Sequence, residues 1–204
     1  MVMTAHPAPV TLRQLSGAPS QSAPLAQSVV IVVDAQKEYT EGVLPLAGID
    51  QSIDALARFL ARARQAKVPI IHVKQIGRPG GPICDPQGPF IEIIDKVRPI
   101  AGEPIVEKRL PSAFTQTTLD AELARIGRRD LIIVGYMTHM CLNSTTRAAT
   151  EAGYRCTVVS ELTATRDLPD GKGGVIPAET VKAVHLAGLA DRFATIVEKG
   201  DDLV

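Results

Sequence analysis

Neither sign of charge is in excess in this 204-residue sequence, where 22 Lys and Arg balance 22 Asp and Glu. That balance offers nothing to hold a polyanion, so the expected partner is a small molecule, with no nucleic acid and no membrane surface involved. Cysteine is scarce: Cys84, Cys141 and Cys156 form an odd set at no regular spacing. Such a set fits neither a disulfide framework nor a zinc ribbon, and it points to a reducing, cytoplasmic setting. Long apolar runs are also missing. The longest near the N-terminus, residues 29–33, is far below the ~20 residues a spanning helix needs. Residues 1–20 lack the basic-then-apolar order of a signal peptide, so the chain reads as soluble and unexported. There is no G-x-G-x-x-G fingerprint, no Walker A pattern and no internal repeat, which leaves nucleotide binding without support.

What is present is enough apolar residue, 45%, to bury one substantial core, which favours one domain over two. Residues 1–27 are rich in Ala, Pro, Ser and Gln, include His6, and carry one amphipathic patch at Thr11 to Leu15. They read as an arm lying on the domain or on a neighbouring subunit, with the domain itself spanning 28–204.

From residue 28 onward, β-branched runs alternate with helical patterns. Strands are expected at 29–34, 69–73, 105–107, 131–134, 156–159 and 194–197, and helices at 52–67 behind a Ser52 cap, 112–126, 141–152 ended by Gly153, and 178–190. Six strands separated by helical segments predict an α/β, three-layer αβα fold with a doubly wound sheet of about six mainly parallel strands. Between the second strand and residue 90 lies an irregular stretch rich in Gly and Pro, residues 77–90. Its length marks it as a candidate wall or lid. In such folds ligands bind at the carboxyl ends of strands, near the point where strand order reverses. Asp34, Lys108 and Cys141 each follow an expected strand and can therefore meet on one edge.

The most informative segment is Gly135-Tyr136-Met137-Thr138-His139-Met140-Cys141, a strand, a tight turn and the start of a helix. Unpaired N–H groups and the positive dipole end at that turn would lower the thiol pKa and hold an oxyanion. A carboxylate beside the thiol can take its proton, and an adjacent ammonium favours the thiolate. The pattern Gly-x-x-Thr-x-x-Cys-x-x-x-Thr, with Asp34 closing a Val-rich strand and Lys108 ahead of Ser112-Ala113-Phe114, resembles the isochorismatase-like cysteine hydrolase superfamily over about residues 28–198.

That resemblance implies a catalytic Asp34, Lys108 and Cys141, a cis peptide at Tyr136–Met137, and an oxyanion hole from the N–H groups of Met137 and Cys141. It also implies a homo-oligomer, dimer or higher. Nicotinamidases resemble the chain too, but they carry an Asp-x-His pair and a further His that this sequence lacks, since only His72 stands between Asp34 and Lys108. No metal and no other cofactor is expected. True isochorismatases cleave a vinyl ether and, as the family is described, do not keep the cysteine, so Cys141 points to cleavage of an amide, ureido or carbamoyl C–N bond. A catalytically silent binding or regulatory member of the fold, a vinyl-ether hydrolase and a thiol redox protein are the alternatives, the last lacking an evident resolving cysteine. Tyr39, His72, Phe114 and Thr138 are candidate pocket residues, with His72 read as a pocket or core residue at a strand end and Phe114 having core packing as its other reading; Arg166-Asp167 is a candidate rim or subunit contact. His139 is read as a rim or interface residue, His185 as structural, Cys84 as a loop thiol and Cys156 as strand packing.

Overall fold

The computed structural model describes residues 8–203; residues 1–7 of the expected arm, His6 among them, and Val204 lie outside the described residues. In chain order the elements are α1 (Leu12–Leu15), β1 (Ser28–Val33), α2 (Ile49–Gln65), β2 (Ile70–Gln75), β3 (Ile105–Lys108), α3 (Leu119–Ile126), β4 (Asp130–Gly135), α4 (Asn143–Glu151), β5 (Arg155–Val159), β6 (Leu168–Pro169), β7 (Val175–Ile176), α5 (Ala178–Arg192) and β8 (Ala194–Val197).

Six strands form one wholly parallel sheet in the order β3-β2-β1-β4-β5-β8. Its central strands are buried on both faces, which is why they read as unbroken Val and Ile runs instead of alternating ones. Val30 and Val32 of β1, with Ile132 and Val134 of β4, point into a core shared with Ile53, Leu56 and Leu60 of α2. Val29, Ile31 and Val33, with Leu131 and Ile133, point the other way against Leu119 and Leu123 of α3 and Leu186 and Leu189 of α5. The expected three-layer architecture is thus present, built from two cores on either side of the sheet.

Several boundaries differ from expectation. α2 starts three residues earlier than Ser52, after Gly48, whose left-handed backbone (φ +65°) turns the chain into the helix. Ser52 is therefore inside the helix and buried, where its hydroxyl accepts a hydrogen bond from the Tyr136 hydroxyl at 3.1 Å. α3 is shorter than expected because Gln116 adopts a positive φ, +56°, which no α-helix accommodates. A short hairpin, β6 with β7, is new; Asp170 closes its turn by accepting from the N–H of Lys172 and Gly174 at 2.7 and 2.8 Å. The described part of the arm rests on its own domain, with Leu12 N–H donating to Asp191 at 2.9 Å and Arg13 donating to Thr195 at 3.0 Å. Among the described residues no helix is long and apolar enough to cross a membrane.

The chain winds from β1 outward to β2 and β3, then crosses to β4 and continues to β5 and β8 on the other side. The direction reverses between β1 and β4, so a crevice opens at their carboxyl ends.

Candidate active site

Asp34 is the first residue beyond β1. Its backbone takes the left-handed conformation, φ +47°, which Asp tolerates better than most residues. Two backbone bonds hold it there, from Asp34 N–H to Val73 O at 3.0 Å and from Gln36 N–H to Asp34 O at 2.8 Å.

Lys108 ends β3, two strands out from β1, opposite Gln75 of β2 in register. Its long side chain crosses that neighbour and delivers Nζ to 2.7 Å from Asp34 Oδ2 and 3.2 Å from Cys141 Sγ. The Gln75 side-chain oxygen accepts the third N–H. All three donors of the ammonium are thus directed at partners in the site. Both charged side chains are fully enclosed, and Oδ1 of Asp34 receives no hydrogen bond.

Cys141 approaches from the third direction. β4 ends at Gly135, whose φ is +102° and where a Cβ would lie 2.1 Å from Val33 O. Only glycine lets the two chains pass so closely, and it brings the loop after β4 directly against β1. The Tyr136–Met137 peptide is cis, as the resemblance implied. The chain then makes a π turn over Thr138–Leu142, with Leu142 N–H reaching back to Met137 O at 3.3 Å, and runs on into α4. Cys141 is inside that turn, ahead of α4 instead of at its first residue.

This placement changes the electrostatics. Burial, and next the charge of Asp34, push the Cys141 thiol up to about 12, although Lys108 pulls the other way. The expected lowering by the helix end is overridden by enclosure and by a neighbouring carboxylate. Cys141 rests as a thiol. Burial also lifts Asp34 above the ordinary carboxylate range, against the pull of Lys108. Burial works to lower Lys108, but Asp34 and Cys141 outweigh it, and the lysine stays an ammonium with a raised pKa.

A cavity of about 380 Å³ opens onto Cys141. Leu44, Ile83, Pro111, Met137 and Met140 give it apolar walls, while Tyr39, Gln75, Cys84, Arg109 and Arg166 supply its polar groups. The 77–90 stretch supplies one wall and is pinned to the body. Gly77 N–H donates to Cys84 O at 2.7 Å, and Cys84 N–H donates to the buried Glu38 carboxylate at 3.0 Å.

Of the expected pocket residues, Tyr39 lines this cavity, with its ring edge-on to Tyr136. His72 does not. β2 continues to Gln75, so His72 lies mid-strand, fully buried, with Nε2 3.0 Å from Glu103, which also takes both arms of Arg64. Phe114 packs on Tyr154 in the core behind α3, with ring centroids 6.0 Å apart. Thr138 supports the site without lining the cavity: its hydroxyl meets that of Thr163 at 2.8 Å, and its N–H donates to Ala164 O at 3.0 Å. His139 contacts Thr165 and stacks edge-on against His185, and neither lines the cavity. Gln75 and Arg109 were missed. Gln75, a polar residue ending a buried strand at the ligand-binding edge, was the available signal for the first.

The Met137 N–H is given no acceptor among the described residues and borders the same cavity. No three His, Cys, Asp or Glu side chains stand together to hold a metal among the described residues.

Comparisons with known proteins agree with this fold. The family model described as the isochorismatase domain matches residues 28–198. The crystal structure of an isochorismatase from Pseudomonas putida KT2440 superposes with a TM-score of 0.91 at 42% identity, covering 97% of this chain and 100% of that one. The secreted isochorismatase effector Isc1 of Verticillium dahliae is 35% identical over 94% of this chain and 98% of its own length. The ureidoacrylate amidohydrolase RutB of Agrobacterium fabrum is 30% identical over 76% of this chain and 78% of its own length. With the parallel sheet, the crevice and the Asp34, Lys108 and Cys141 cluster in place, the chain belongs to the isochorismatase family of hydrolases.

Proposed function

We propose that the protein is a cysteine amidohydrolase that cleaves an amide, ureido or carbamoyl C–N bond of a small molecule through an acyl-enzyme on Cys141. The observation that carries this reading is a single ammonium, Lys108 Nζ, lying 2.7 Å from Asp34 and 3.2 Å from Cys141. Because Cys141 rests protonated, the nucleophile needs a base at the moment of attack. Asp34, dry and short of hydrogen-bond donors, is that base.

As Sγ bonds to the carbonyl carbon, its proton passes to Asp34 and the carbonyl oxygen becomes an oxyanion facing the N–H groups of Met137 and Cys141. Asp34 then returns the proton to the departing nitrogen as the C–N bond breaks. Water, deprotonated by Asp34, hydrolyses the thioester and restores the thiol. Lys108 favours the ionised form of Asp34 at rest and balances its charge between proton transfers. A relative named for amide hydrolysis of a ureido acid supports the bond type. This reading includes a reducing, cytoplasmic setting, supported by three free thiols, and a homo-oligomer, supported by the exposed Leu12 and Leu15 of the arm and Val184 of α5.

The test incubates wild type and Cys141→Ala with a panel of N-carbamoyl and N-acyl amines. Wild type should release amine and show an acyl mass increment on the Cys141 peptide. Full turnover by Cys141→Ala would overturn the assignment of the nucleophile. Turnover of vinyl ethers alone, or of nothing, would favour the other readings of the fold.

A further inference from the structure

Residues 163–165 belong to no helix or strand, yet the segment that carries the nucleophile leans on them at three points. Thr138 N–H donates to Ala164 O at 3.0 Å, the hydroxyls of Thr138 and Thr163 meet at 2.8 Å, and the Thr165 hydroxyl meets His139 Nδ1. Met137, which borders the cavity, is held on one side by this strip. On its other side Tyr136 is fixed independently, by its N–H to Val33 O at 2.8 Å and its hydroxyl to Ser52.

The strip has few supports of its own. Ala47 N–H donates to Thr165 O at 2.9 Å, and Thr163 N–H reaches only the nearby Ser160 O, at 3.3 Å. The remaining tie is Lys182 of α5, whose Nζ donates to Thr163 O at 2.8 Å. α5 is itself seated on the sheet through Leu186 and Leu189, so the lysine links a loose strip to a packed helix.

A helix lysine ordinarily carries its ammonium outward to water or to a carboxylate. Lys182 is half-buried, and no acidic side chain of the described residues forms an ion pair with it. Burial pulls its ammonium below the ordinary lysine value, against the charges of Glu198 and Glu161. A charged donor on a carbonyl makes a stronger bond than a neutral one, and here it acts on backbone that has no ladder to hold it.

We propose that Lys182 is a positioning residue of the active site, which grips the Thr163 carbonyl from α5 and so holds, through Thr138, the Met137 N–H that meets the oxyanion. This rests on the amidohydrolase reading above. Lys182 touches no reacting atom. Releasing the grip should let the Met137 N–H drift, which weakens transition-state stabilisation while Cys141, Asp34 and Lys108 keep their contacts.

Two probes of Cys141 separate this role from a structural one. Methyl methanethiosulfonate forms an S–S bond at Sγ, methanesulfinate leaves, and the thiol proton passes to Asp34, so no oxyanion develops on carbon. Butanal adds reversibly: Sγ bonds to the aldehyde carbon, the thiol proton passes through Asp34 to the new oxygen, and nothing leaves. That oxygen lies where the oxyanion of an amide would. Peptide mass spectrometry follows methylthio labelling of Cys141 alone and against rising butanal.

Lys182→Met should label within about twofold of the wild-type rate but need about tenfold more butanal for half protection. Outright loss of an oxyanion donor costs about 10²–10³, and a displaced donor costs less. On an amide that wild type hydrolyses, kcat should fall about tenfold with KM little changed. Lys182→Arg should recover most of both. Thr163→Val, which lacks the hydroxyl on Thr138, should show the same pattern, and the two kcat losses should not multiply in the double variant.

Unchanged kcat and butanal protection in Lys182→Met overturn the inference. So does a parallel loss of labelling, protection and melting temperature, which is what a merely structural role gives. Should Lys182→Met melt well below wild type, Thr163→Val decides, and full butanal protection there overturns the inference. Wild type that neither hydrolyses an amide nor is protected by butanal overturns the amidohydrolase reading and this role with it. Wild type that does both, matched by its variants, overturns the role of Lys182 alone.

Discussion

Replacing Lys108 with Met keeps the length of a side chain that is fully enclosed and removes its charge. The ammonium lies 2.7 Å from Asp34 Oδ2, a separation at which two unit charges attract by about 6 kcal/mol at an effective dielectric of 20. Most of that attraction offsets the cost of dehydrating both groups, so the pair adds little net stability. Removing one partner exposes the full cost of the other, roughly 3–5 kcal/mol.

The loss depends on pH through Asp34, whose pKa burial already raises with Lys108 present. Without the lysine it rises further. A carboxyl with a raised folded-state pKa contributes stability that is complete below its unfolded value of about 3.9 and is lost as pH climbs through the folded value. Lys108→Met should therefore be about 3–5 kcal/mol less stable than wild type near pH 8, with the difference shrinking toward about pH 5. Asp34→Asn combined with Lys108→Met should recover a large share of it, because no buried charge remains. Urea titrations followed by circular dichroism at the two pH values measure all three differences. A deficit under about 1 kcal/mol near pH 8, a deficit independent of pH, or single-mutant losses that simply add in the double mutant would refute the reasoning.

Gly135→Ala should destabilise by about 3 kcal/mol or more, because the new Cβ would lie 2.1 Å from Val33 O, whereas Gly127→Ala, also at positive φ but facing open space, should cost about 1–2 kcal/mol; melting temperatures of the two variants compare them directly. The pH profile of kcat/KM should rise with an acid limb above the ordinary carboxylate range, set by Asp34, and then stay flat through about pH 8–9, where an ordinary thiol would ionise, because Cys141 is pushed up to about 12 and gives its proton to Asp34 instead. A limb at the ordinary thiol value in stopped-flow or steady-state rates would show that the free thiolate attacks.

Much of the architecture was legible because the central strands are dry on both faces. A short β-branched run such as Val29 to Val33 fits a strand buried on both faces, and the polar residue that ends it then stands at the sheet edge. Asp34, Lys108 and Cys141 were found this way together with the resemblance. What failed depended on distance across the fold. His72 was placed at a strand end because β2 was ended two residues short, and its true partners, Glu103 and Arg64, are remote in sequence. Ser52 looks like a helix cap and Ser112 like the start of a helix, but the helices answer to the backbone of Gly48 and Gln116. The state of the thiol was misjudged because local dipoles are visible in a sequence while enclosure and a carboxylate from another strand are not. Gln75 and Lys182 were passed over for the same reason: each matters through what surrounds it.

The reversal of winding between β1 and β4 has a consequence for the life of the protein before it is complete. Asp34 arrives early in the chain, Cys141 late, and Gly135 must pass against Val33 before the two meet. No product of translation that stops short of Cys141, and neither piece of a chain cut between Lys108 and Cys141, contains the reactive centre. The thiol stays apart from its carboxylate until β4 has crossed back to lie beside β1, so the reactive centre exists only once that pairing is made.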